Sequence, residues 1–291
     1  MRQFVLPSFP EPGGSITLSD RDFRYLVQVL RKGKGDLVEA RLPDGSLRSF
    51  RVSSVDRRAK LLSLSPADGF AGGNPASSGP AVGGRGDGGA DFSSVTVPGS
   101  SMPARASVPE GFPRVALYQW ILKGPRMDQV IRQATETGVE VIVPVAGERC
   151  VADGDAGAGR LSRWERIVRE ARQQSGSPVN TRILPAVDPA GIMESWQGLS
   201  SAERAAALVL TEAPLARKSL HEYLYGNPGM VALAVGPEGG MSARELDVLS
   251  CAGFERVHFK TNVLRAETCA LYGIAAVQNA LTEFASWQLK E

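Results

Sequence analysis

The sequence predicts an α/β protein with a mostly parallel sheet, preceded by a small β-rich N-terminal unit. From Arg114 onward, apolar runs of strand length alternate with amphipathic helical segments, which is typical of a parallel sheet flanked by helices. Before that point, short strand-like runs and turn residues dominate, and a stretch rich in Gly, Ser and Pro separates the two patterns. The length of 291 residues also favours two domains over one.

The N-terminal unit is predicted to contain three strands and one helix. The strand candidates are Leu37–Leu42, Leu47–Val55 and Lys60–Leu64. Pro43-Asp44-Gly45-Ser46 separates the first two, and an Asp-Gly pair accepts the positive φ that hairpin turns require. A helix is expected over Ser19–Leu30, because Ser19 can cap it and apolar residues follow at helical spacing.

The chain is expected to divide into a β-rich unit over 1–67, a flexible linker or insertion over 68–112, and an α/β domain over 113–291. The middle segment is nearly uncharged and poor in large apolar residues. It therefore cannot bury enough surface to offset the entropy of ordering. A functional loop is the alternative interpretation, but the composition of this segment suggests no chemistry for one.

The C-terminal domain is predicted to alternate strands and helices to its end. The strand candidates are Val115–Leu122, Val139–Val145, Arg182–Val187, Ala205–Thr211, Met230–Val235 and Arg256–Phe259. The helix candidates are Arg126–Thr137, Ser162–Gln174, Ala190–Trp196, Ser219–Tyr225, Ala243–Ala252 and Glu267–Phe284. Ligands of such sheets bind where the strands end, so the loops from strand to helix are the places to look for function.

Composition excludes several classes of protein. The hydrophobic fraction is 43% and the charged fraction 22%, which is ordinary for a globular protein, and no apolar run approaches the roughly 20 residues of a membrane helix. The N-terminal apolar stretch is too short for a signal peptide. The cysteines at 150, 251 and 269 form no CxxC pair and are interpreted as reduced thiols of a cytoplasmic protein. With two histidines and no Cys/His cluster, no metal site is expected.

The charge distribution suggests a polyanionic partner. The net charge is only +2, but residues 1–66 carry 12 Lys or Arg against 7 Asp or Glu, whereas residues 110–291 carry 19 against 21. The basic excess therefore lies in the N-terminal unit, where a polyanion would be attracted. A solvated surface with scattered basic residues is the alternative interpretation.

The sharpest local motif is the glycine-rich segment Val235–Ser242, which follows an apolar strand and precedes a helix. Its glycines allow backbone conformations closed to other residues and let a ligand approach the main chain. Ser242 and Glu245 have the spacing of a capping box, which specifies the helix start. The segment matches neither GxGxxG nor the P-loop pattern. A tight turn without a ligand stays open as the alternative.

Two further loops connect strands to helices or end an apolar strand. Lys260–Thr268 places Arg265 and Glu267 at a helix entry, where exposed N–H groups favour anions; a solvated arginine beside a first-turn glutamate is the alternative. Leu210–Pro214 ends an apolar strand and is weak evidence alone.

Together these loops resemble one family. GPEGG at 236–240, followed by VLRAET at 263–268, resembles the SPOUT-class methyltransferases, and specifically the RsmE family, which methylates N3 of a uridine in 16S ribosomal RNA. Further matches are YLVQVLR at 25–31 with Gly35-Asp36, KGPRM at 123–127, ATETGV at 134–139, Arg149, Glu170-Ala171 and Gln174-Ser175. The resemblance spans nearly the whole chain outside the Gly-, Ser- and Pro-rich segment.

The resemblance implies a fold and a set of partners. It implies a SPOUT-type α/β domain whose C-terminal segment, from about Met230, is threaded into a trefoil knot, and a PUA-like RNA-binding β-barrel at the N-terminus. It also implies a homodimer that uses S-adenosyl-L-methionine and acts on 16S ribosomal RNA within the small ribosomal subunit. The sequence departs from the family at Phe259, Lys260 and Asn262, where a Leu-Gly pair and an arginine are usual, at Gln133, where a basic residue is expected, and at Ser177, where the family has an arginine.

Residue roles follow as hypotheses from the motifs and the resemblance. Arg265 could stabilise negative charge on the uracil carbonyls. Glu267 could accept the N3 proton if its side chain faces the pocket, or instead orient Arg265. The expected cofactor-binding residues are Leu210, Thr211, Glu212, Gly236, Pro237, Glu238, Gly239, Gly240, Phe259, Val263 and Leu264. The expected RNA-binding residues are Arg2, Arg24, Arg31, Lys123 and Arg149.

Two other functions stay open from the sequence. One is a non-catalytic RNA-binding factor for ribosome assembly, which the departures at Phe259, Lys260 and Asn262 would suit. The other is a SPOUT methyltransferase with a different RNA target. A small-molecule enzyme is the weakest alternative, because it gives the basic N-terminal unit no purpose.

Overall fold

A computed structural model of the chain describes residues 4–67, 108, 112–150, 158–200, 204–213, 216 and 218–284. Arg2, Pro214, the Asp-Gly-Asp loop at 153–155 and nearly all of the 68–112 segment lie outside these residues. The described residues form two compact units, one that includes 4–8, 39–48 and the described residues from 108 onward, and one that includes 9–38 and 49–67. The domain boundaries expected from the sequence stay a prediction.

The N-terminal region forms a five-stranded sheet in the order β1-β3-β4-β5-β2. Its strands are β1 Phe4–Val5, β2 Ile16–Ser19, β3 Leu37–Arg41, β4 Leu47–Asp56 and β5 Leu61–Pro66. β1 runs parallel to β3, whereas β2 and β4 are antiparallel to β5. The last three strands confirm the sequence prediction, and the turn between β3 and β4 has the expected chemistry, since Gly45 has a φ of +89° and Asp44 Oδ1 accepts from Ser46 N at 2.9 Å. β1 and β2 were not predicted.

The predicted helix at Ser19–Leu30 is present but has a different form. A four-residue α-helix, α1 (Asp20–Phe23), continues directly into a π-helical stretch, Arg24–Val29. The expected cap is wrong: Ser19 ends β2 in an extended conformation and makes no capping hydrogen bond, and Asp20 has a φ of +47°. Phe23 and Leu26 are buried, whereas Val29 is 59% exposed.

The larger unit is built on a six-stranded parallel sheet in the order β11-β9-β10-β6-β7-β8. Its strands are β6 Val115–Trp120, β7 Val141–Val145, β8 Arg182–Ile183, β9 Ala205–Leu210, β10 Met230–Val235 and β11 Glu255–Val257. Every residue of β6, β7 and β10 is buried, as expected for central strands covered on both faces. β8 is shorter than predicted, because Pro185 has no N–H to donate and only Val187 beyond it forms a bridge, to Val145.

Helices cover both faces of this sheet. They are α2 Pro125–Glu136, α3 Ala158–Ser175, α4 Ile192–Ser200 after a 3-10 turn at Pro189–Gly191, α5 Leu220–Tyr223, α6 Ala243–Cys251 and α7 Ala266–Phe284. One apolar cluster includes Ile131 of α2, Trp164 of α3 and Ile274 of α7. The cluster on the opposite face includes Trp196 of α4 and Leu249 of α6.

The predicted α/β class with a parallel sheet is therefore confirmed, and the N-terminal sheet is consistent with the expected small barrel. The trefoil knot stays a prediction. Among the described residues, no helix combines the length and the apolar character needed to cross a membrane. The cysteines at 150, 251 and 269 are free thiols.

Candidate functional site

The three loops singled out in the sequence meet at one edge of the sheet. β11, β9 and β10 are neighbours, so their carboxyl ends lie side by side and the segments that follow them surround a common space. This space is a pocket of about 570 Å³, within the range of small-molecule sites. It is lined by Arg126, Leu210, Thr211, Glu212, Ala213, Val235, Gly236, Pro237, Glu238, Gly240, Met241, Leu246, Arg256, Val257, His258, Phe259, Thr261, Asn262, Val263, Leu264, Arg265, Ala266 and Cys269.

The glycine-rich loop between β10 and α6 is held in one conformation by its own residues. Ser242 Oγ accepts from Glu245 N at 3.2 Å, and Glu245 Oε2 accepts from Ser242 N at 2.7 Å, which confirms the predicted capping box. Gly240 has a φ of +68°, which favours glycine. At Gly236 a Cβ would lie 3.1 Å from Cγ of Met241, so a larger residue would press on the next turn of the loop.

Glu245 does more than close the capping box. Its Oε1 accepts from the indole Nε1 of Trp120 at 2.8 Å and from the backbone N of Glu148 at 3.0 Å. The side chain is 1% exposed. Burial raises the pKa of Glu245, but hydrogen bonds from Trp120, Ser242 and Glu148 outweigh that effect, so the pKa lies below its ordinary value.

Residues outside the loop also donate hydrogen bonds to it. Arg149 Nη1 donates to the carbonyl of Gly239 at 2.7 Å. Glu238 Oε1 accepts from Arg126 Nη1 at 2.9 Å and from Lys123 N at 3.3 Å. Burial raises the pKa of Glu238, but these bonds and one from its own backbone N–H lower it below the ordinary value.

The opposite wall of the pocket is built where β9 and β11 end. Thr211 N donates to the carbonyl of Val257 at 3.0 Å, and Nδ1 of His258 lies 3.1 Å from the Thr211 carbonyl oxygen. Phe259 packs edge-to-face on Tyr272 of α7, with ring centroids 5.1 Å apart. This contact holds the Phe259 ring against α7 at the pocket wall.

Cys269 brings a thiol to the pocket. Burial, and then the neighbouring charge of Glu212, raise the pKa of Cys269 to about 11. The thiol is therefore protonated at neutral pH and a poor nucleophile. We assign it a packing role.

The two residues expected to act in catalysis are placed differently. Arg265 is exposed and lines the pocket. Glu267, in the first turn of α7, does not line the pocket and is 8% exposed. Its Oε1 lies 4.0 Å from Nε of Arg126, and its Oε2 is buried without a hydrogen-bond partner among the described residues. Their catalytic roles stay predictions.

Most of the expected cofactor residues come together in the pocket. Gly239 is the exception, since it faces Arg149 instead of the pocket space. Of the three positions that depart from the family pattern, Phe259 and Asn262 line the pocket and Lys260 does not. The lining residues are an observation, and their binding of a cofactor stays a prediction.

The residues expected to bind RNA have different surroundings in the structure. Arg24 Nε donates to the carbonyl of Asp20 at 3.4 Å, and Arg31 is a positive-φ residue at 55° just after the π-helical stretch. Lys123 and Arg149 border the glycine-rich loop through the bonds described above. Arg2 lies outside the described residues. Contact of these residues with RNA stays a prediction.

Sequence reasoning missed several residues that line the pocket or support its loops. Arg126 belongs to the KGPRM match, but nothing local indicated that its side chain reaches a loop 112 positions away. Trp120 and Glu245 are 125 positions apart, and their bond was equally invisible. His258, Thr261 and Cys269 flank predicted residues, and their position beside a strand-to-helix loop was the only signal.

The fold and the pocket define the class of protein: a parallel α/β domain with a small-molecule pocket at the carboxyl edge of its sheet, formed by neighbouring strands. A family model described as "RNA methyltransferase domain" matches residues 110–278, more than half of the chain. The chain therefore belongs to the RNA methyltransferase family, in its group of ribosomal RNA small subunit methyltransferases E, which confirms the resemblance found in the sequence.

Individual relatives support membership of this family. The chain is 33% identical over 178 residues to the ribosomal RNA small subunit methyltransferase E of Mycobacterium bovis, a match that spans 60% of this chain and 66% of that protein, just under two thirds of its length. It is 30% identical over 167 residues to the protein of the same name from Aquifex aeolicus, covering 57% and 68%.

The fold is found in solved structures. The crystal structure of a ribosomal RNA small subunit methyltransferase E from Neisseria gonorrhoeae, bound to S-adenosyl methionine, has a TM-score of 0.70 at 24% identity and covers 96% of this chain and 97% of its own. A Legionella pneumophila protein in complex with the same cofactor has a TM-score of 0.69 at 24% identity. These likenesses establish the fold.

Proposed function

We propose that this protein transfers a methyl group from S-adenosyl-L-methionine to N3 of a uridine in 16S ribosomal RNA. The observation that carries the proposal is the pocket, because the loops that resemble the family are the loops that form it. Its volume suits a ligand of nucleoside-plus-amino-acid size. The uridine target rests on the family resemblance.

The residues of the pocket fit this cofactor. Leu210, Val235, Leu246 and Val257 supply apolar surface for an adenine ring, and the carboxylate of Glu212 can accept hydrogen bonds from ribose hydroxyls. The main chain at Gly236 and Gly240 can be approached closely by a ligand. The acidic groups Glu212 and Glu238 also complement a ligand that carries a sulfonium and an ammonium.

Arg265 is proposed to stabilise the charge that develops on the base. S-adenosyl-L-methionine supplies a methyl group that is already activated by the sulfonium. Uracil N3 carries a proton at neutral pH, so the base must lose it as the N–CH₃ bond forms, and negative charge spreads to its carbonyl oxygens. Arg265 is exposed at the pocket and can donate hydrogen bonds to those oxygens.

Glu267 is the proposed acceptor of the N3 proton, a role that requires its side chain to turn toward the pocket, which it does not line here. Its Oε2 is buried without a hydrogen-bond partner among the described residues, so this oxygen has free capacity to accept. The competing role is to orient Arg265 at the helix entry. Oε1 of Glu267 lies 4.0 Å from Nε of Arg126, so an arginine other than Arg265 is the cation placed beside it among the described residues.

The partners follow from the same proposal. The substrate is 16S ribosomal RNA, within the small ribosomal subunit, with phosphates contacted by Arg2, Arg24, Arg31, Lys123 and Arg149. The N-terminal basic excess supports a polyanionic partner. A homodimer and a cytoplasmic location, both expected from the sequence, stay predictions.

A methyl-transfer assay tests the function. Purified protein and labelled S-adenosyl-L-methionine are incubated with unmodified 16S RNA and with small ribosomal subunits, and the nucleosides are identified after digestion. N3-methyluridine is the expected product. Another methylated nucleoside would keep the class and overturn the target. No transfer to either substrate by folded protein would overturn the enzymatic proposal in favour of a binding factor.

A further inference from the structure

We infer that Glu245 is a positioning residue for the proposed reaction. Its carboxylate joins three segments of the chain behind the glycine-rich loop and so fixes the loop on which the cofactor is proposed to lie. The inference rests on the proposed function of the pocket. It adds a residue that does not itself line the pocket and that acts through Gly239 and its neighbours.

The carboxylate of Glu245 accepts hydrogen bonds from three segments of the chain. Oε1 accepts from Trp120 at the end of β6 and from the N–H of Glu148 in the loop after β7, at 2.8 and 3.0 Å. Oε2 accepts from Ser242 N at 2.7 Å. Only an ionised carboxylate accepts these three bonds without presenting a donor to any of the three N–H groups.

Glu245 is linked to the glycine-rich loop through Glu148 and Arg149. Glu148 is followed by Arg149, whose Nη1 donates to the carbonyl of Gly239 at 2.7 Å. Fixing the Glu148 N–H therefore also fixes the base of the side chain that holds Gly239. The capping bond to Ser242 holds the end of the same loop directly. The carboxylate of Glu245 therefore fixes the loop directly at Ser242 and, through Glu148 and Arg149, indirectly at Gly239.

Gly147 is packed directly against the Glu245–Trp120 pair. A Cβ added at Gly147 would overlap both Oε1 of Glu245 and the indole ring of Trp120. The chain can pass this point only with glycine at 147. The segment that carries Arg149 is therefore pressed directly against the Glu245–Trp120 pair.

A second capping box in the chain serves as a control that distinguishes helix capping from positioning of the pocket loop. Ser219 and Glu222 make the same reciprocal bonds, Ser219 N to Glu222 Oε2 at 2.7 Å and Glu222 N to Ser219 Oγ at 3.3 Å. Glu222 is exposed and does not line the pocket. If capping were the whole role of Glu245, then Glu245→Gln and Glu222→Gln would affect the pocket alike.

The experiment measures the dissociation constant of S-adenosyl-L-methionine by calorimetry, at a temperature well below the melting point of every variant. Glu245→Gln presents an amide N–H to backbone or indole donors, so the constant is expected to rise at least fivefold. Glu222→Gln is expected to stay within twofold of wild type. Gly147→Ala leaves the residues of the capping box unchanged, but its Cβ would displace Oε1 of Glu245 and the Trp120 indole, so the constant is expected to rise at least fivefold in this variant too. It also tests the inference if Glu245→Gln does not fold.

A double-mutant cycle with Arg149→Met tests the path. If Glu245 acts through Arg149, the effect of Arg149→Met on the dissociation constant shrinks in the Glu245→Gln background, and additive effects would contradict the path. Binding within twofold of wild type in both Glu245→Gln and Gly147→Ala would overturn the inference alone. Failure of the folded wild-type protein to bind would instead overturn the proposed function, and the inference with it.

Discussion

Nη1 of Arg126 lies 2.9 Å from Oε1 of Glu238, and thereby a residue at the start of α2 is tied to the glycine-rich loop after β10. Nε of the same arginine is 4.0 Å from Oε1 of Glu267 at the start of α7. The side chains of Arg126 and Glu238 are 43% and 27% exposed, and ion pairs so accessible to water contribute about 0–1 kcal/mol to stability. We therefore expect this ion pair to affect ligand binding in the pocket more than the stability of the fold.

Replacing Arg126 with methionine should weaken S-adenosyl-L-methionine binding about three- to fivefold, because Glu238 loses its charged partner and the loop gains freedom. The melting temperature should fall by no more than about 4 °C. Calorimetric titration and thermal unfolding measure the two effects. Arg132→Met, at an exposed position on the same helix, is the matched control and should leave binding unchanged. An equal effect of both variants would argue against a specific role.

Replacing Arg265 with alanine should lower kcat roughly 10²-fold while binding of S-adenosyl-L-methionine changes little, because the side chain is proposed to act on charge that appears only during transfer. Single-turnover methyl transfer with saturating RNA and cofactor measures this step. Arg244→Ala, at an exposed position on α6, should behave as wild type. Full activity in an Arg265→Ala protein that binds cofactor normally would remove Arg265 from the mechanism.

Local signals predicted the framework of the fold and most of the pocket. Met230–Val235 was predicted to the residue, because six apolar residues stand between two glycines and form a central strand. The capping box at Ser242 and Glu245 needs only its three-residue spacing and was equally clear. Most of the pocket could also be predicted, because each of the three loops that form it comes directly after a recognisable strand.

What the sequence did not reveal depends on long-range contacts or on very short elements. β1 has two residues and β2 has four, too few for a period of two to stand out. The π-helical stretch has the apolar content of an α-helix and differs from one only in the wider spacing of its backbone hydrogen bonds. The bonds from Trp120 to Glu245 and from Arg126 to Glu238 join residues more than 100 positions apart, and no local pattern marks such pairs.

The stability of the protein should fall in acid partly because of Glu245. Its folded pKa lies below the ordinary value, so its contribution is present above the unfolded pKa of about 4.3 and is lost as the pH falls through the folded pKa. Glu245→Gln should therefore be less stable than wild type by about 2 kcal/mol at pH 7, since a buried charged acceptor loses its bonds. Urea unfolding from pH 7 to pH 3 should show this difference shrinking below about pH 4.3. A difference that is constant over the whole range would contradict the assignment.

Cys269 should resist alkylation even though it lines the pocket. With its pKa raised to about 11, little thiolate exists at pH 8, so its reaction with iodoacetamide should be at least about tenfold slower than that of the exposed Cys251. Peptide mass spectrometry over time gives both rates. Glu212→Gln removes the like charge and should speed the reaction of Cys269, while leaving Cys251 as it was. Equal rates at the two cysteines in the wild-type protein would show that the thiol is less shielded than the structure indicates.

RNA binding should depend steeply on salt, and Arg149 should account for part of that dependence. Its side chain borders the pocket loop through the Gly239 carbonyl, where it can reach a phosphate near the target base. Each phosphate contact releases counterions, so Arg149→Met should reduce the slope of log K against log salt by about 0.7–0.9. Fluorescence anisotropy with a 16S RNA fragment at several salt concentrations measures the slope. Arg163→Met, at an arginine already paired with Asp128, should leave the slope unchanged. An unchanged slope in Arg149→Met, with weaker cofactor binding, would show that Arg149 serves the glycine-rich loop and not the RNA.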